Sequence, residues 1–195
     1  MYTFTTNLLH IISKILFKVK VEGLENIPDE GRIILAANHK SNWDPVFIAG
    51  AVRKRKLVGI AKKELNNNKI VAFFIKKLGV ITIDRDKPEI TSVKKVLKAL
   101  KEESAVVIFP EGTRVKGEGF GEVKQGTALF ALKGQSNIIP ISIITNYKLF
   151  SKVHIYIDKP ICLEQYFGKK ITTEDKEQIS KDIMDKIKEN YMNNI

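Results

Sequence analysis

Short aliphatic runs alternating with helical patterns predict an α/β protein. The expected architecture is one sandwich domain with a mixed, mostly parallel sheet flanked by helices, plus an N-terminal amphipathic helix. The runs are the first observation. Ile33–Ala37, Leu57–Ile60, Val80–Ile83, Ala105–Phe109, Ile138–Ile144 and Val153–Ile157 are nearly unbroken in apolar residues, as strands covered on both faces are. The second is what lies between several of them, stretches whose apolar residues recur every three or four positions. The third is size. With 195 residues, 44% of them apolar, the chain can fill one sizeable core, and no repeat or Pro/Gly-rich linker divides it. Residues 1–20 are expected to form the amphipathic helix and 21–195 a single domain. Scarce glycine, proline and cysteine exclude collagen-like, low-complexity and disulfide-scaffold classes. The single cysteine, Cys162, excludes an intramolecular disulfide and reads as a buried structural thiol.

Taken in order, residues 8–19 (LLHIISKILFKV) come first. They are too short to span a bilayer as a helix, which takes about 20 apolar residues. They also lack the basic region and small-residue cleavage pattern of a secretory signal. Leu8, Ile11, Ile12, Ile15, Leu16 and Val19 form one helical stripe, while His10, Ser13, Lys14 and Lys18 face elsewhere. Two readings stand: the stripe packs on the domain's own core, or it lies in a membrane interface with lysines towards lipid phosphates. Further on, Ile90, Val93, Val96/Leu97 and Leu100 mark a helix, and a second covers Lys124–Lys133. A third runs from Thr173, with Ile179, Ile183, Ile187 and Tyr191 at spacing four. Thr172 and Asp175 resemble a capping box at its start.

Of three histidines, His10 reads as solvated or interfacial and His154 as an exposed strand residue. His39 follows the strand that ends at Ala37, and ligand sites in open α/β sheets lie beyond the carboxyl ends of strands. Asp44, five residues on, can fold back to hydrogen-bond one ring nitrogen. A carboxylate there fixes the tautomer and frees the other nitrogen to take a proton. Followed by Pro45, Asp44 also reads as the N-cap of a helix. Ser41 lies close by, but no G-x-S-x-G elbow makes it a nucleophile. Direct base catalysis is favoured over a covalent intermediate.

Two further strand ends carry charge. Phe109 runs into Pro110-Glu111-Gly112-Thr113-Arg114, where Pro110 stops the ladder and Arg114 offers a fork suited to phosphate. Lys62, Lys63 and Glu64 follow one strand, and Asp84-Arg85 another. One base with cationic side chains on a shared rim suits a phosphate-bearing substrate whose hydroxyl must lose a proton.

These clusters, in this order, closely resemble the glycerophospholipid acyltransferase family, in particular its 1-acyl-glycerol-3-phosphate acyltransferases. An N-H-x-S-x-x-D block stands at Asn38, His39, Ser41 and Asp44. A second block matches at Lys62, Glu64 and Leu65, then Gly79 to Arg85. F-P-E-G-T-R is complete at Phe109–Arg114, and a proline between aliphatics lies at Ile139-Pro140-Ile141. The resemblance implies transfer of a fatty acyl group from acyl-CoA or acyl-carrier protein to the free hydroxyl of 1-acyl-glycerol-3-phosphate, giving phosphatidic acid for phospholipid synthesis. It makes His39 the general base and Asp44 its orienting partner. Glu111, Gly112 and Thr113 would shape the acceptor site, and Arg114, Lys62 and Arg85 would bind the phosphate. No metal or organic cofactor is expected. Glycerol 3-phosphate or another lysophospholipid is the alternative acceptor.

The chain carries 33 Lys+Arg against 22 Asp+Glu, a formal charge of +11. A non-catalytic basic domain binding lipid or nucleic acid is the remoter alternative, with Arg53–Lys56 as its footprint. No RNA-binding aromatic signature or helix-turn-helix pattern accompanies that run, and nucleic acid is not an expected partner. The charge fits an anionic membrane surface better, with Arg53–Lys56 and the first-helix lysines drawn to lipid. The expected location is the cytoplasmic face of the cell membrane, peripheral or monotopic.

Overall fold

The computed structural model describes residues 2–67, 69–84 and 90–194. Seven strands form one sheet: β1 (Lys18–Glu22), β2 (Ile33–Ala37), β3 (Leu57–Lys62), β4 (Ile81–Ile83), β5 (Ala105–Ile108), β6 (Asn137–Ile144) and β7 (Lys152–Ile157). Their order is β1-β7-β6-β2-β5-β3-β4. All neighbouring pairs are parallel except β6 with β7, so the sheet is mixed and mostly parallel, as expected. β2 lies at its centre and is buried throughout, which accounts for its unbroken aliphatic run.

Helices cover both faces. α1 (Tyr2–Leu16) and α2 (Asp44–Ala51) lie on one side, where Phe17, Phe47 and Ile48 pack with Leu35, Ile139 and Ile141. α4 (Ile90–Lys101), α5 (Gly126–Gly134) and α6 (Thr173–Asn193) lie on the other, around Ile34, Val106 and Ile138. The short α3 (Lys69–Lys77) leads into β4. Thr172 and Asp175 form the expected capping box, each side chain accepting the other's backbone N–H.

Four expectations change. Val19 belongs to β1, not to the first helix, because the chain extends after Leu16 to pair with β7. α1 also turns His10 and Ser13 inward. Ser13 is buried, and His10 Nδ1 bonds the Gly50 carbonyl at 2.7 Å, so His10 is not a solvated residue. Phe4, Leu8, Ile11 and Ile15 face outward instead. Cys162 is exposed rather than buried, just past the single bridge that Ile161 makes to Ile138. Finally, Arg53–Lys56 is not a free basic patch. Arg55 is buried, its guanidinium donating to the carbonyls of Pro28, Gly31 and Glu103.

Arg55 thus ties the loop before β2 to the end of α4. Removing it takes a charged donor from three carbonyls, and a hydrogen bond to a charged group contributes about 1.5–3 kcal/mol. Arg55→Ala should lower unfolding stability by about 3 kcal/mol in urea titration. Arg55→Lys should recover little, because a single ammonium cannot reproduce the planar fork.

Candidate active site

Asn38 fixes where the chain leaves the sheet. It is fully buried, and its amide accepts from the Ile143 N–H at 2.7 Å and donates to the Ile143 carbonyl at 3.0 Å. This pair continues the β2–β6 ladder one residue past the strand. His39 then turns out over the rim. The chain folds back through residues 40–43 to Asp44, the first residue of α2.

The Asp44 carboxylate is fully buried. Its Oδ2 accepts from His39 Nδ1 at 2.9 Å, the Lys40 N–H at 2.8 Å and the Ser41 N–H at 2.7 Å. Its Oδ1 accepts from the Tyr147 hydroxyl at 2.7 Å. The N-cap expectation for Asp44 fails. Trp43 occupies that position without a side-chain cap, and the carboxylate is instead taken up by the turn before the helix. Because an ionised carboxylate only accepts, Nδ1 of His39 carries the proton and Nε2 holds the lone pair. Ser41 supports Asp44 through its amide, and its Oγ accepts from the Trp43 N–H at 3.2 Å.

The loop after β5 holds His39 from the other side. Glu111 is buried, accepting from the His39 N–H at 2.6 Å and the Gly121 N–H at 2.9 Å. The Val115 N–H donates to the His39 carbonyl at 2.8 Å. Phe109 stacks on the imidazole, centroids 4.0 Å apart and planes 19° from parallel. Gly112 adopts a φ of 69° in the tight turn that follows, a conformation glycine tolerates freely. Glu111 therefore holds the two loops together with both oxygens, while Thr113 and Arg114 are exposed at the turn.

β2, β5 and β3 are neighbours, so their carboxyl ends bring His39, Arg114 and Lys62 to one rim. Lys62 bonds Glu64 at 2.9 Å, a contact that holds the Glu64 carboxyl below its usual range. Arg85 lies outside the described residues. On the opposite flank, a cavity of about 1000 Å³ opens beside β6, β7 and β1, with Lys14, Lys18, Lys152, Phe17, Val153 and Tyr191 in its lining. Sequence reasoning did not single out Tyr147 or the stacking role of Phe109. Phe109 stood inside a recognised block but read only as the end of a strand. Tyr147 sits in a turn 103 residues from Asp44, and no local pattern links the two.

A strand-end histidine locked to a buried carboxylate, in an α/β sandwich, is the setting in which the comparisons with known proteins fall. The acyltransferase family profile matches residues 18–144. The 1-acyl-sn-glycerol-3-phosphate acyltransferase of Bacillus subtilis is 33% identical over 140 residues, covering 72% of this chain and 69% of that protein. The protein of the same name in Helicobacter pylori is 38% identical over 126 residues, covering 63% and 53% respectively. The crystal structure of the 1-acyl-sn-glycerophosphate (LPA) acyltransferase PlsC from Thermotoga maritima superposes with a TM-score of 0.77 at 25% identity. That match covers 98% of this chain and 80% of the other. The chain belongs to the acyltransferase family. It matches about half the length of the Helicobacter relative and 44% of its Streptococcus pneumoniae counterpart.

If Glu111 acts by clamping His39 rather than by touching substrate, Glu111→Gln should lower kcat. The amide offers one acceptor where two N–H groups need one each. A misplaced catalytic group costs about 10²-fold in rate, and KM values should stay within about threefold of the unsubstituted enzyme. A large rise in acceptor KM at unchanged kcat would instead assign Glu111 a direct contact.

Proposed function

We propose that the protein transfers a fatty acyl group from an acyl thioester, on coenzyme A or an acyl-carrier protein, to the free hydroxyl of 1-acyl-glycerol-3-phosphate. The carrying observation is the His39–Asp44 pair, whose buried carboxylate holds Nδ1–H and leaves Nε2 as the basic nitrogen. Nε2 takes the hydroxyl proton as the acceptor oxygen attacks the thioester carbonyl. The tetrahedral oxyanion collapses, the carbon–sulfur bond breaks, and the imidazolium returns the proton to the departing thiolate. The products are the oxygen ester, phosphatidic acid, and the free thiol.

Arg114 and Lys62, with Arg85, are assigned to the acceptor phosphate, Arg114 by bidentate hydrogen bonds. Glu111, Gly112 and Thr113 shape the acceptor side of the site. The amides of His39, Lys40, Ser41, Gly112 and Val115 are already bonded within the protein. Oxyanion stabilisation therefore falls to Thr113 and Arg114, whose exposed turn follows directly.

The reaction is tested with a labelled acyl thioester and a panel of acceptors: 1-acyl-glycerol-3-phosphate, glycerol 3-phosphate and other lysophospholipids, each with both donor types. Acylation of the first at the highest kcat/KM supports the reading; preference for another acceptor reassigns it. His39→Ala should reduce turnover by about 10²–10⁴ without unfolding, and unimpaired turnover in that variant would remove His39 from the chemistry.

Membrane attachment is supported by the outer face of α1. Phe4, Leu8, Ile11 and Ile15 are exposed on it, and Leu149 and Phe150 are exposed next to its end, where the Phe150 N–H bonds the Leu16 carbonyl. Lys14 and Lys18 flank this apolar surface. Among the described residues no helix is long and apolar enough to cross a membrane. A helix lying in the interface, at the cytoplasmic face of the cell membrane, suits these features. Replacing both Ile11 and Ile15 by Glu should weaken binding to phosphatidylglycerol-containing vesicles at least about tenfold in sedimentation, with an unchanged melting temperature. Unaltered binding would mean that α1 is not the contact.

A further inference from the structure

Asp44 has two oxygens, and the histidine uses one. The other accepts from the hydroxyl of Tyr147 at 2.7 Å. Tyr147 is held there by unusual backbone. Its φ is 58°, a left-handed conformation that bulky side chains rarely adopt and that costs free energy. The turn that imposes it is built locally. Thr145 Oγ1 accepts from the Tyr147 N–H at 3.2 Å, and Asn146 Oδ1 accepts from the Lys148 N–H at 3.0 Å. The ring packs against the same apolar layer as Trp43 and Phe109. Strain of this kind persists where surrounding structure over-determines it, and it clusters at functional sites.

We propose that Tyr147 is a positioning residue that tunes the base, its hydroxyl spreading the charge of Asp44 and thereby limiting how strongly the carboxylate holds protonated His39. The hydroxyl remains a donor throughout. Burial, and then the neighbouring Asp44 charge, push the phenol far above its usual range. The other titratable groups facing this cluster are Lys40 from the turn after β2, Glu111 from the β5 loop and Tyr191 from α6. Glu111 accepts from the backbone of His39, and Lys40 lies over the Tyr191 ring at 5.7 Å, so Tyr147 alone among them hydrogen-bonds the carboxylate through its side chain.

Without the phenol, Oδ1 loses its donor and the negative charge concentrates on the pair with His39. The imidazolium is then favoured, and it cannot accept a proton. The sign follows: the acidic limb of the rate profile moves to higher pH. Tyr147→Phe keeps the ring and removes only the hydroxyl. The expected result is a shift of the acidic midpoint of kcat/KM upward by about one pH unit, which is tenfold in rate on that limb. Near pH 9 the rate should return to within about threefold of the parent, with KM for both substrates unchanged.

The role in catalysis rests on His39 being the base, so a second measurement needs no substrate. NMR titration of the His39 ring should show its midpoint moving upward in Tyr147→Phe relative to the parent. Unchanged midpoints in both measurements would overturn the proposal, as would a uniform loss of rate at every pH with the midpoint in place. If the parent protein transfers no acyl group, the proposed reaction fails, and the NMR titration still decides whether Tyr147 tunes His39.

Discussion

The buried carboxylate of Asp44 is the constraint around which the rim is arranged. Removing such an anion from water costs several kcal/mol unless hydrogen bonds replace the lost hydration. Here four donors do so: His39 Nδ1, the amides of Lys40 and Ser41, and the Tyr147 hydroxyl. Bonds to a charged acceptor are roughly twice as strong as neutral ones. Two of the four come from the turn between His39 and Asp44, so the short spacing serves the backbone as much as the imidazole.

The rest of the molecule holds the two sides of this arrangement still. Asn38 extends β2 onto β6, while Glu111 and Val115 grip the backbone of His39 from the loop after β5. Both supports come from the strands that flank β2 in the sheet. The site is thus assembled from three adjacent strand ends, which the sheet order makes neighbours although they are distant in sequence. Acyl transfer needs a base, an acceptor hydroxyl and a thioester in mutual register, and groups supported from rigid strands can supply that register.

The local parts of this site were legible in the sequence, and the long-range parts were not. His39 and Asp44 are five residues apart, and a strand end followed by a tight turn leaves few other arrangements for them. The central strands were visible because strands buried on both faces are nearly all apolar, whereas β1, with Lys18, Lys20 and Glu22, was not seen. Tyr147 was invisible because its partner is 103 residues away in sequence and its turn carries no glycine to mark the left-handed conformation. The first helix was ambiguous for a different reason. An apolar stripe says that a surface avoids water, not which partner covers it. In α1, Leu8, Ile11 and Ile15 of that stripe face outward and Leu16 packs on the core, while Ser13 and His10 face α2. Arg55 misled, since a run of basic residues reads as solvated until three backbone carbonyls are found around one of them.

The central claim is that Asp44 acts by holding His39 in the tautomer with Nδ1 protonated. Asp44→Asn tests this, because the amide nearly preserves shape and its oxygen stays with the Lys40 and Ser41 amides, so the variant removes only the charge that holds Nδ1–H and stabilises the imidazolium. The account predicts a fall in kcat for acyl transfer comparable to that of removing the imidazole, at least about 10²-fold, with substrate KM values and melting temperature close to those of the parent. An Asp44→Asn enzyme retaining half or more of the parental kcat would contradict it.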